Sequence, residues 1–162
     1  MTPSQKLIES GLYLATAESL TAGLVSAELA NTPGASKFLL GGIVCYQDEI
    51  KIHQLGVDPE LISQHGPVDP NVAIQMATGA RVNFARDCSK ASNLVIGIST
   101  TGVAGPDPVG DKPVGLVFIG ISSQLGERAI QLHLSGSRPE IRAATVSAAL
   151  STLEDEIQLL LG

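Results

Sequence analysis

Ser19, Tyr46 and Lys51 are the side chains of this 162-residue chain best suited to covalent chemistry. Ser19 stands in Thr-Ala-Glu-Ser-Leu-Thr-Ala-Gly (16–23), where an apolar run stops and a helical pattern begins. A serine hydroxyl is a weak nucleophile until a base takes its proton. At a helix N-terminus it, or a bound phosphate, would also meet unpaired backbone N–H groups and the positive end of the helix dipole. Histidine is the usual base, but none of the three announces itself. His133 alternates with core residues, His53 lies on a polar helical segment, and His65 sits in the turn His-Gly-Pro-Val (65–68). Lysine replaces histidine in Ser-Lys versions of the catalytic triad. Lys51 follows Tyr46 across an expected strand-to-helix turn, so both could reach the rim where Ser19 stands. Tyr46 would then pass a proton or donate to a developing oxyanion. On spacing alone a plainer reading is the stronger one: a solvated helix lysine and a tyrosine closing the sheet edge.

A second group of residues suits anion binding. Thr101-Gly102-Val103-Ala104-Gly105-Pro106 follows the apolar run Leu94–Ser99. Its glycines let backbone approach a ligand closely, and its N–H groups could cradle an anion. It is neither a P-loop nor GxGxxG, and alone it reads first as a plain loop. Lys112, in Lys-Pro-Val-Gly (112–115), would border the same rim. Arg138 and Arg142 open the last helix, where positive charge opposes the dipole. That placement suggests an anion such as phosphate. Ion pairs with carboxylates such as Glu140 are the alternative.

Composition narrows the classes. Net charge is −6, which argues against a broad basic footprint on nucleic acid. Aromatic residues make up 3% and Trp is absent, so stacking platforms for single strands are scarce. Cys45 and Cys88 lack metal or redox spacing and are expected to be buried, reduced thiols. No stretch approaches a membrane span and no secretory pattern opens the chain, so a cytoplasmic protein is expected. Hydrophobic residues at 44% against 16% charged predict one packed domain over 1–162.

The elements that must position these residues can be read in outline. A short helix over 3–11 ends at Gly11, and Leu12–Ala15 is a buried strand. Helical spacing resumes at Leu24–Leu29. Phe38–Cys45 is a strand with a glycine pair, and Asp48–Leu55 a helix stopped by Gly56. Asp69-Pro70 starts a long helix through Val72, Met76, Ala80 and Phe84. Leu94–Ser99 and Val114–Ile121 are doubly buried strands, and Ile130, Leu132 and Leu134 alternate in a half-wet one. The last helix begins near Pro139, with Val146, Leu150, Leu153, Ile157 and Leu160 as its apolar stripe. This order predicts an α/β fold, a three-layer α/β/α sandwich with a mostly parallel sheet and room for an antiparallel edge strand. Ligands in such folds bind beyond the carboxyl ends of strands, where Ser19, Tyr46 and Thr101 would converge.

Taken in order, these segments resemble the CinA C-terminal domain family, whose enzymatic members are nicotinamide-nucleotide amidases. The similarity runs through Ala17-Glu18-Ser19, Pro33–Ser36, Tyr46–Lys51, Leu55–Val57, His65–Val68, Thr101–Pro106, Lys112–Gly115 and Arg138–Arg142. The resemblance implies a stand-alone α/β/α domain that hydrolyses the carboxamide of nicotinamide mononucleotide to nicotinic acid mononucleotide and ammonia. It implies Ser19 as nucleophile with Tyr46 and Lys51 as its catalytic partners. Thr21, Thr101, Gly102, Ala104, Gly105, Lys112, Arg138 and Arg142 would bind substrate. No metal or organic cofactor is implied. The partner is a small pyridine mononucleotide rather than nucleic acid or membrane, and the assembly a homodimer or higher homo-oligomer. Four features depart from the family pattern: Leu20 for Cys, Ala22 for Gly, Gln47-Asp48 for Ser-Asn, and Ser137 for an acidic residue. They keep alive a second reading, a catalytically weak or inactive paralogue that serves as a nucleotide-binding or regulatory module. A DNA-associated role is opposed by the acidic charge.

Overall fold

The computed structural model describes residues 2–162. Local signals set most element ends. Thr2 and Gln5 form a capping box at helix α1 (Pro3–Ser10), which Gly11 closes in the left-handed conformation. Strand β1 (Tyr13–Glu18) leads to α2 (Leu24–Ala30), and β2 (Leu39–Val44) to α3 (Asp48–Leu55). Asp58 caps α4 (Pro59–His65), and Asp69 caps α5 (Pro70–Asp87) with Pro70 at its first position. Strands β3 (Val95–Gly102), β4 (Leu116–Ser123) and β5 (Gly126–His133) follow. Helix α6 (Arg138–Leu161) opens on a second capping box, Ser137 with Glu140. The hydrogen bonds from Ser137 hold the Glu140 carboxyl below the usual carboxylate range.

The sheet order is β2-β1-β3-β4-β5. β1 pairs in parallel with β2 and β3; β4 runs antiparallel to both β3 and β5. Four strands therefore point one way, and the antiparallel part is the tight β4–β5 hairpin on one side of the sheet. The carboxyl ends of β1, β2, β3 and β5 share one rim, where the amino end of α6 also begins.

Helices cover both faces. On one face Leu7, Val25, Ile141, Leu153 and Ile157 pack on Leu14, Ile98, Ile119 and Ile121. On the other, Val72, Met76 and Ala80 of α5 meet Ala15, Ala17 and Val95. α5 lies close to the sheet because Gly97 faces it: a Cβ there would overlap the Ala77 carbonyl oxygen.

Two expectations change. The buried stripe of α6 is Ile141, Thr145, Ala149, Leu153 and Ile157, whereas Val146, Leu150 and Leu160 are only half-buried. The small Thr145 and Ala149 let the helix settle on the sheet, which turns the larger side chains toward its flank. Cys88 lies exposed just past the end of α5, while Cys45 is buried. The reason is position: Cys88 follows the last helical turn, beyond the sheet it covers. Among the described residues, no helix is long and apolar enough to cross a membrane.

Candidate active site

Ser19 leaves the end of β1 on a turn that is tied at three points. Its N–H donates to the Thr100 carbonyl at 3.0 Å, its carbonyl accepts from the Ala22 N–H at 3.1 Å, and the Leu24 N–H donates to the Thr21 carbonyl at 3.0 Å. Ala22 and Gly23 take positive φ, +49° and +98°. Glycine tolerates that region and alanine does not. Ala22 is exposed, so its Cβ meets solvent rather than the cleft. Ala22→Gly is therefore expected to raise stability by about 1 kcal/mol, the left-handed cost less the entropy of glycine. A thermal or urea unfolding curve checks it.

The N-terminus of α2 does not serve Ser19, contrary to the sequence-based expectation. The buried Glu18 carboxylate takes it. Glu18 accepts from the Val25 N–H at 2.7 Å, the Ser26 N–H at 3.1 Å, the Ser26 hydroxyl at 2.9 Å and the Thr21 hydroxyl at 2.7 Å. Negative charge at a helix N-terminus is favourable, and here the chain supplies its own. The consequence falls on Thr21. Its hydroxyl, fully buried, is spent on Glu18 and on Thr100 at 2.8 Å. Thr21 is held inside the turn and does not line the cleft.

Arg142 is placed differently from its expected role as well. Its guanidinium donates to the Leu20 carbonyl at 2.8 Å and the Thr21 carbonyl at 3.3 Å. It pins the turn from outside and does not line the cleft. Within this turn the Leu20 N–H has no partner among the described residues.

Tyr46 and Lys51 come from the end of β2 and the first turns of α3. The Lys51 side chain is 1% exposed, so it is not a solvated helix charge. Its ammonium donates to the Tyr46 carbonyl at 3.1 Å and lies 3.6 Å from Asp48. The neighbouring Cys45 is fully buried, and burial pushes its thiol up to about 11, against the opposing charge of Lys51. A thiol held so high stays protonated at neutral pH and unreactive. Alkylation of the native protein with iodoacetamide should therefore modify Cys88 alone, with Cys45 reacting only after unfolding. Intact-mass measurement reads the difference directly.

The third wall is the loop after β3. The Thr101 hydroxyl, at the end of β3, donates to the Pro67 carbonyl at 2.8 Å, joining the strand end to the loop before α5. Gly105 has φ of +88°, and a Cβ there would press on Val114 at 2.8 Å. Arg138, at the start of α6, donates to the Gly105 carbonyl at 2.6 Å and the Tyr46 hydroxyl oxygen at 2.7 Å. One guanidinium thus ties the ends of three rim loops. Neither Arg138 nor Arg142 has a carboxylate partner among the described residues, because Glu140 folds back to cap its own helix.

These walls enclose a cleft of about 170 Å³. Ser19, Tyr46, Lys51, Thr101, Gly102, Ala104, Gly105 and Arg138 all line it; so do Leu20, Pro67, Val68 and Asp107. A second depression of about 280 Å³, lined by His65, Asp111 and Lys112, shares Pro67, Val68 and Val109 with it. Lys112 therefore borders this adjoining space rather than the cleft. A hydroxyl, an amine and a phenol meet here with an arginine at the mouth. Such a set can run acyl transfer on a small planar group with an anionic tail. Among the described residues, no three His, Cys, Asp or Glu side chains group as a metal site.

Sequence reading missed Glu18 as the cap of α2, Arg142 as a brace for the turn, and Pro67, Val68 and Asp107 as cleft walls. An acid a few residues ahead of a helix carries a capping signal, but the intervening turn hid it. The other contacts are long-range and left no local pattern.

The family model for the CinA C-terminal domain matches residues 2–157. A competence-damage inducible protein of Desulforamulus reducens is 42% identical over 154 residues, 95% of this chain and 36% of that protein. The chain thus spans about a third of the length of such curated relatives. Among solved structures, a competence-damaged protein (CinA) superfamily protein from Klebsiella pneumoniae 700603 aligns with a TM-score of 0.86 at 26% identity, covering 96% of this chain and 93% of that one. The competence/damage inducible protein CihA from Agrobacterium tumefaciens aligns at 0.81 with 33% identity, covering 93% and 91%.

Proposed function

The chain belongs to the CinA C-terminal domain family, and from that premise we propose that it is an amidohydrolase converting nicotinamide mononucleotide and water to nicotinic acid mononucleotide and ammonia. One observation carries this reading. Ser19 and the buried amine of Lys51, which arrive from two different strand ends, line a single cleft.

In the proposed reaction the neutral amine form of Lys51 takes the Ser19 proton as Ser19 Oγ attacks the carboxamide carbon. The Leu20 N–H, which has no partner in its own turn, donates to the oxygen that becomes negative. Collapse of the tetrahedral adduct breaks the C–N bond, and Lys51 returns the proton to the departing nitrogen, which leaves as ammonia. Water then attacks the acyl-serine in the same way and releases the carboxylate. Tyr46, whose oxygen already accepts from Arg138, keeps its own proton to donate within the cleft. The cleft volume suits the nicotinamide ring and not the whole nucleotide. The ribose phosphate therefore extends past the mouth, where Arg138 has no carboxylate partner and where the space beside Lys112 adjoins. A bidentate guanidinium–phosphate pair is the strong form of such contact.

The test is ammonia release from nicotinamide mononucleotide by the purified protein, with nicotinic acid mononucleotide identified as co-product. Nucleotide binding, seen as a raised unfolding temperature, without ammonia at any concentration would replace this reading with that of a binding module.

A further inference from the structure

The cleft carries one acidic residue and one aromatic. Among its lining residues only Asp107 is acidic and only Tyr46 is aromatic. Asp107 makes no ion pair with the described residues. Arg138 lines the same cleft, yet the two bonds it makes go to the Gly105 carbonyl and the Tyr46 hydroxyl rather than to Asp107, leaving its other N–H groups for a ligand phosphate. Asp107 and Arg138 thus line one cleft without pairing with each other, and Lys51 is the second cation that lines it. Asp107 stands between Pro106 and Pro108. A proline on its carboxyl side confines its backbone to extended conformations. Such a cleft fits a ligand that is positive at one end and negative at the other.

We infer that Asp107 recognises the positive ring of a pyridinium nucleotide and makes this cleft select it over the neutral dihydropyridine form. The inference rests on the amidase reading for the identity of the substrate. Nicotinamide mononucleotide carries a permanent positive charge on its ring nitrogen and a phosphate on its ribose. Its dihydro form keeps the phosphate and loses the ring charge. The exposed Asp107 carboxylate attracts the first and has little to offer the second, through a charge contact that solvent and salt partly screen. The Tyr46 ring adds cation–π attraction of the same sign. Arg138 does not discriminate, because both forms have the phosphate. Asp107 is here a specificity residue. It takes no part in proton transfer.

The experiment compares kcat/KM for the two mononucleotides in the wild-type protein and in Asp107→Asn, at pH 8 where the dihydro form survives. The expected result is a wild-type preference for the cationic ring that falls by about tenfold in Asp107→Asn, carried by KM of the cationic substrate, the scale of one partly exposed charge contact. Asp107→Glu should keep most of the preference, and added salt should erode it in the wild type. A preference that is the same in Asp107→Asn as in the wild type would overturn the inference. Calorimetric binding of both nucleotides to Ser19→Ala, with and without Asp107→Asn, gives the same comparison without turnover. Absence of ammonia from either substrate would thus sink the amidase reading alone, while the binding ratio still decides the role of Asp107.

Discussion

Ser19→Ala is expected to lower ammonia release at least about a thousandfold, since an acyl-transfer enzyme without its nucleophile keeps only the catalysis of its oxyanion donors and binding groups. Lys51→Met should lose about 10²–10⁴-fold, the usual worth of a positioned general base. Methionine is the informative replacement because the Lys51 side chain is almost wholly buried. It fills a similar volume without the amine, so lost activity is not a cavity effect. Groups that act as one unit are not additive, so the double variant should be little worse than Ser19→Ala alone. Single-turnover assays with the labelled mononucleotide measure all three. Full activity in Ser19→Ala would remove the serine from the mechanism, and full activity in Lys51→Met would remove the base.

Glu18→Ala should be the most destabilising single change near the site. The buried carboxylate satisfies two backbone N–H groups and two hydroxyls, of which those of Val25 and Thr21 are buried and those of Ser26 half-buried. Truncation strands the Val25 amide away from water and leaves the half-buried Ser26 amide without its partner. Ser26 still reaches Thr16 at 2.6 Å and Thr21 still reaches Thr100, but the Val25 and Ser26 amides have no substitute. Buried donors left unpaired cost about 1–3 kcal/mol each, which puts the loss near 4 kcal/mol. For a chain of this size that is about 10 °C or more in unfolding temperature. Glu18→Gln should lie between, because its amide nitrogen cannot accept from a backbone N–H. Activity should fall with stability, since the turn that Glu18 holds is the one that carries Ser19. An unfolding temperature within about 2 °C of wild type would show that the cap is dispensable.

The sequence made some features legible for identifiable reasons. Helices α3 and α5 were readable because Gly56 and Asp69-Pro70 are local stop and start signals. β3 and β4 were readable because continuous apolar runs bury on two faces. The rim placement of Ser19, Tyr46 and Thr101 followed from strand direction alone, since parallel strands present their carboxyl ends together. The stripe of α6 was misread because its buried line runs through Thr145 and Ala149. Apolarity does not mark such positions; the close approach of helix to sheet does.

The roles of individual site residues divide along the same line. The residue types, their order and their attachment to strand ends were fixed by the chain itself, because backbone periodicity and caps act over a few residues. Which of two nearby arginines faces the cleft was decided only by the packing of α6 against the rim: Arg138 turns to Gly105 and Tyr46, and Arg142 to the Ser19 turn. Packing likewise buried Lys51, gave the α2 N-terminus to Glu18 and kept Thr21 out of the cleft lining. Each of these outcomes depends on partners distant in sequence or on competition for the same hydrogen bonds, and such competition has no local signature.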